Sequence, residues 1–174
     1  PDDPVLQGLL KGDIVAVWQR INHKDMSAIY PPLVMLLFRG LAAISPSVGS
    51  FKLAMLGFDL VVLVVLVRLM RHRRIRPANL FWYAANPLVL VYVAGEAHVD
   101  IVQAALLLTA LYAIVIKKPA LGFLSLGLAT VSKYVALAVL PFLMARSNRW
   151  AWPVIVLPAL CFLPFGHDVP AIFD

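Results

Sequence analysis

Between Phe51 and Met70 the chain runs for the length of a membrane crossing, interrupted only by Lys52, Asp59 and Arg68, and then enters Arg71-His72-Arg73-Arg74-Ile75-Arg76. A transmembrane helix needs roughly 20 predominantly apolar residues, and Lys and Arg concentrate on the cytoplasmic side. Together the two segments predict a span and fix its sides: the basic run is cytoplasmic, and residues 1 to 50 are external. The composition agrees. The chain is 62% hydrophobic and 14% charged, with a mean hydropathy of +0.89, which lies outside the range of ordinary soluble domains and implies an integral membrane protein.

The net charge of +6 does not point to nucleic acid, because the basic residues sit at the ends of apolar runs and no nucleic-acid motif accompanies them. The single cysteine, Cys161, rules out a disulfide framework or a cysteine metal site within the chain. The sequence starts at Pro1 in a polar stretch and stops at Asp174 in an unfinished loop, and reads as a piece of a longer protein at both ends.

Charge then sets the course of the chain. Pro1 to Tyr30 reads as a structured external loop with short helices around Val5 to Leu10 and Ile14 to Gln19. Leu33 to Ile44 follows Tyr30-Pro31-Pro32, and Pro is tolerated in a first helical turn. At about 12 residues it is too short to span, and Arg39 at its centre would cost roughly 3 kcal/mol in the bilayer, so a helix lying at the interface is expected. Asn79 to Ala94 is expected to cross outward with a kink at Asn86-Pro87, and Asp100 to Ile116 to return to Lys117-Lys118. Lys117-Lys118 and Arg146 with Arg149 belong on the same side, so Pro119 to Met144 must turn back. Thr130-Val131-Ser132-Lys133-Tyr134 is the polar break, which predicts two short helices of about 14 and 12 residues meeting near Lys133. Trp150 to Phe165 then crosses outward, with Trp150 and Trp152 as interface anchors, to an external Gly166-His167-Asp168. The fold class is all-α: a polytopic transmembrane bundle with an external loop (1–50, juxtamembrane helix 33–44), a transmembrane helical domain (51–174) and a short-helix hairpin.

The candidate chemistry gathers on the external side. Gly95-Glu96-Ala97-His98-Val99-Asp100 places Glu96, His98 and Asp100 between two apolar runs. His98 and Asp100 could hold a sugar hydroxyl or, with water, a divalent ion, or simply bond to each other; two ligands do not make a metal site. Asp59 lies within a span, as a functional group or as a brace to Lys52, Arg39 or Lys133. Lys133 either snorkels to the interface or receives an anionic lipid head group. His23 with Asp25 repeats the His-Asp spacing in the first loop, where it could also serve a turn.

Tyr30-Pro31-Pro32-Leu33 after Ile21-Asn22-His23, then Asn86-Pro87, Gly95 to Asp100, and Gly127-Leu128-Ala129-Thr130-Val131-Ser132-Lys133 followed by Leu140-Pro141, resemble the bacterial multi-pass glycosyltransferases of the GT-C fold, in particular the mannosyltransferase-like members. The resemblance covers nearly the whole chain. It implies inverting transfer of a sugar, mannose, from a polyprenyl-phosphate donor to a glycan or lipid acceptor at the external (periplasmic) face of the inner membrane. No cofactor is expected, and the residues give a divalent metal no support. The family's early acidic motif would fall before Pro1, which places the general base upstream and leaves His98 and Asp100 as supporting catalytic groups. Lys133, Asp59, Tyr30, Glu96 and His23 are then the substrate-binding candidates. The rival readings are a transporter or lipid-binding module without catalysis, and a catalytically silent subunit.

Overall fold

In a computed structural model the described residues are Gln19, 30–145 and 149–165, and among them every regular element is helical. The expected short helices before Tyr30, together with His23, Asp25, Arg146 and Gly166-His167-Asp168, lie outside the described residues.

Helix α1, Pro32–Ile44, starts on Pro32 at its first turn and ends at Ser45. It buries Pro32 and Val34, whereas Arg39 is exposed. Helix α2, Val48–His72, has 25 residues and opens with a capping box in which the Ser47 and Ser50 side chains each accept from the other's backbone N–H. The polar Ser45–Ser50 segment therefore ends one helix and starts the next, because serine oxygens satisfy donors that a helix N-terminus leaves open. At 1.5 Å per residue α2 is roughly 37 Å long, more than the roughly 30 Å hydrocarbon core. Among the described residues it is the one unbroken helix long and apolar enough to cross a membrane.

The crossing expected over Asn79 to Ala94 is replaced by a series of short turns. A 3-10 turn at Pro77–Leu80 leads into α3 (Phe81–Ala84), Asn86 is extended, and α4 (Pro87–Val89) passes into a π-helical turn at Leu90–Gly95. The cause is local: the residue before a proline is pushed out of the helical region, and Pro87 itself has no N–H to donate. The Asn86 side chain instead accepts from Leu88 N–H at 2.9 Å. Pro87–Gly95 and α5 (Asp100–Val115) reach spanning length and hydropathy only together, and they meet at 117°. The return expected from Asp100 is thus a real helix of 16 residues, bent sharply off its predecessor.

The break expected within Pro119 to Met144 falls at Lys133, and the second helix expected after it, of about 12 residues, is instead a 3-10 stretch followed by a five-residue α-helix. Helix α6 covers Pro119–Ser132, Lys133 is extended, and a 3-10 stretch at Tyr134–Val139 leads into α7 (Leu140–Met144). The expected final crossing is α8 (Pro153–Phe162) plus a 3-10 turn at Leu163–Phe165, with Pro158 inside the helix.

Helix α6 is the centre of the packing, lying against α5, α8 and α1. Phe123, Leu126, Ala129 and Val131 are fully buried there, and the first three form one cluster with Ala110 of α5, Leu143 of α7 and Val154 of α8. A second cluster lies between α2 and α5, with Met55 and Val62 against Ile101, Val102 and Ala105. Close approach of α6 to α8 depends on Gly127: a Cβ there would sit 2.8 Å from the Pro153 carbonyl oxygen. Small residues at such crossings let helix backbones approach one another. The outer surface is apolar as well, with Trp82, Phe142 and Ile155 each at least 74% exposed.

Candidate functional site

The loop between the π-turn and α5 is shaped by a left-handed residue that is not glycine. Ala97 has φ 56°, and the N–H groups of Glu96, Ala97 and His98 turn back onto the carbonyls of Val91, Val93 and Tyr92. This is the way a helix closes its last turn, here on a residue that takes the left-handed conformation at a cost of about 1–2 kcal/mol. Arg74 and Lys117, the other non-glycine residues with positive φ, close α2 and α5 similarly. The closure at Ala97 stops the π-turn and starts α5 within five residues, leaving Asp100 in the first turn of α5. A carboxylate is favoured there because the helix N-terminus carries a partial positive charge.

Lys133 reaches that carboxylate from the break after α6. Its Nζ donates to both Asp100 oxygens at 2.8 Å, with the two side chains about half-exposed. The Lys133 backbone is held separately: its N–H donates to Ala129, and its carbonyl accepts from Ala136 N–H at 3.1 Å and, at 3.5 Å, from Gln103 Nε2. Asp100 and Gln103 are three residues apart and share a face of α5. Upstream, the buried Thr130 and Ser132 hydroxyls donate to Leu126 and Ala129 carbonyls of their own helix, so their polarity is spent locally. His98 Nδ1 is 3.8 Å from Asp100 Oδ2, beyond hydrogen-bond distance, and the His98 ring lies 5.8 Å from that of Tyr92.

The other expected site residues divide. Glu96 lines a groove of about 700 Å³ between α1 and the start of α2, together with Phe38, Phe51, Lys52 and Met55. Tyr30 packs edge-on against Phe38, whose ring in turn meets Phe51, so Tyr30 adjoins that groove without lining it. Asp59 is elsewhere, accepting a 2.6 Å hydrogen bond from the Tyr83 hydroxyl. Among the described residues none of the cations weighed as its brace, Lys52, Arg39 or Lys133, forms an ion pair with it. None of Tyr30, Asp59, His98 and Asp100 is among the residues lining that groove.

Tyr83, Gln103 and Lys52 were not singled out from sequence as site residues. Gln103 carried a usable signal, since it is the one amide in the apolar run after Asp100 and sits one turn along from it. Tyr83 carried none, being one aromatic in Phe81-Trp82-Tyr83. Among the described residues no three His, Cys, Asp or Glu side chains come together as a metal-holding group.

The arrangement brings a cation, a carboxylate and an imidazole to one loop cluster, with a mainly apolar groove lined in part by the adjoining Glu96 and Ala97. Such groups can take up an anion and orient a hydroxyl. No curated protein and no solved structure matches the chain. A family model described as the alpha-(1->6)-mannopyranosyltransferase N-terminal domain matches residues 5–149, and the chain belongs to this family of mannosyltransferases.

Proposed function

We propose that this domain receives a sugar, mannose, carried on polyprenyl phosphate, and supports its inverting transfer to an acceptor hydroxyl at the external face of a multi-pass membrane protein of the inner membrane. The observation that carries the reading is Lys133, a half-exposed cation on the extended residue after a buried helix, with its backbone fixed and its ammonium held by a displaceable carboxylate. In the transfer the acceptor oxygen attacks the sugar C1, the C1–O bond to phosphate breaks, and the bonding pair leaves on the phosphate. Lys133 neutralises that charge, as cations placed where charge develops do. His98 and Asp100 act in support on the acceptor side, by hydrogen bonding and proton acceptance.

Membrane placement is supported by the spanning length of α2, the basic Arg71–Arg76 at its end, and the exposed apolar side chains of α3, α7 and α8. In this reading residues 1–50 are external with α1 lying along the interface, and 51–174 form the membrane domain. The apolar groove lined by Phe38, Phe51 and Met55 also favours a second reading, a lipid-binding module without catalysis; donor binding with no transfer product would select it.

The test is Lys133→Ala and Lys133→Arg in the full-length protein, with transfer from polyprenyl-phosphate mannose as readout. Alanine is expected to weaken donor use at least about tenfold, the effect of losing one charge-assisted contact. Arginine should not restore it, because its planar fork does not replace a compact ammonium. Unchanged donor use in Lys133→Ala returns Lys133 to an interfacial anchor.

A further inference from the structure

We propose that Asp100 is a built-in placeholder for the donor's phosphate: it occupies Lys133 until an anionic lipid head group displaces it, and donor binding thereby releases the Asp100 carboxylate towards His98. The inference rests on the reading of Lys133 as the phosphate ligand.

The contact has the form of an exchangeable one. Lys133 Nζ meets two oxygens of a single anion at 2.8 Å each, and a phosphate presents the same two-oxygen edge. Both side chains are about half-exposed, 48% and 49%, and exposed ion pairs contribute little, whereas a buried pair would resist separation. A lipid head group brings the same charge and is retained near the site by its apolar chain, so it can compete where a free anion competes poorly.

Exchange needs no change in the fold. The Lys133 backbone stays bonded to Ala129 and Ala136 while its four-carbon stem moves. The released carboxylate is accommodated without its partner, because it stands in the first turn of a 16-residue helix and His98 Nδ1 is already 3.8 Å away. In the resting structure both Asp100 oxygens are engaged by Lys133. The supporting base is thus withheld until the donor is seated, which couples acceptor activation to donor occupancy.

The test is a double-mutant cycle in the full-length protein in detergent micelles, titrated with farnesyl phosphate, with farnesol and inorganic phosphate as controls. Asp100→Asn removes the competitor and is expected to tighten farnesyl phosphate binding about two- to fivefold, the effect of no longer displacing an exposed ion pair. Asp100→Ser removes the same charge and is expected to tighten binding in the same way, so a fault particular to one variant shows as disagreement between them. Lys133→Ala is expected to weaken binding at least about tenfold, and in that background Asp100→Asn should have no further effect.

Unchanged or weaker binding in both Asp100 variants, with Lys133→Ala still defective, overturns the placeholder and leaves the phosphate ligand standing. Tightening that persists without Lys133 also overturns it, since it would reflect the general field of the carboxylate. Equal response to inorganic phosphate overturns the lipid head group as the displacing anion. A Lys133→Ala protein that binds like the wild type overturns the phosphate reading itself.

Discussion

Asp59 shows how an ionisable residue inside a span can be given a structural partner that sequence does not reveal. Its position in α2 marks it for function or for a cationic brace, and the structure pairs it with a neutral donor, the Tyr83 hydroxyl, 24 positions away at 2.6 Å. Burial of a carboxylate needs compensation, and one strong hydrogen bond in a half-buried setting supplies part of it. Tyr83→Phe is expected to cost about 1 kcal/mol, between the membrane average for such bonds and the value for bonds to charged groups. Thermal unfolding in detergent checks this, with the loss largely absent when Asp59→Asn is already present and with donor affinity unchanged. A fall in donor affinity at constant stability would instead give Asp59 a binding role. The partner was illegible because it depends on how α3 packs against α2, a tertiary outcome. The Lys133 break was legible because Thr130 to Tyr134 is the polar interruption of the apolar run from Pro119 to Met144, yet its ion pair with Asp100, 33 residues distant, again needed packing to be seen.

At the scale of elements, α6 explains why the motif ending in Lys133 has the composition it has. Gly127 is required by the Pro153 backbone of α8, and Thr130 and Ser132 bond within their own helix, so much of the motif serves to hold Lys133 in place. Gly127→Ala drives a Cβ to 2.8 Å from a backbone oxygen, whereas at Gly122 the nearest atom is the end of the Ile114 side chain, also at 2.8 Å. A side chain can move and a packed backbone moves less readily. Gly127→Ala is therefore expected to destabilise by about 1–3 kcal/mol, in the range for overpacking, and Gly122→Ala by less, with thermal midpoints in detergent as the check. An equal or reversed order would mean that α8 yields more easily than Ile114. The boundaries of α1, α5 and α6 followed from proline, helix length and charge. The path from Asn79 to Gly95 did not, because Asn86-Pro87 predicts a kink but not its consequence, a chain of short turns ending in a π-turn and a 117° bend.

For the whole molecule, hydrophobic length predicted a bundle of crossings, and the described residues contain one unbroken helix of spanning length with shorter apolar helices packed around α6. Apolar runs of 13 to 16 residues look alike in sequence whether they cross or turn back, so composition marks the membrane but does not count the crossings. The charge pattern is more informative at this scale, since it predicts a shared side for Glu96, His98, Asp100 and Lys133, and the structure brings Asp100 and Lys133 into contact. The central claim is that this side takes its sugar from a lipid phosphate. The direct measurement is transfer by the full-length protein in proteoliposomes of outward orientation, offered polyprenyl-phosphate mannose or membrane-impermeant nucleotide-linked mannose. Product from the lipid-linked sugar alone, reduced at least about tenfold by Lys133→Ala, is the predicted result; product from the nucleotide sugar with the lipid-linked sugar inert would contradict the account.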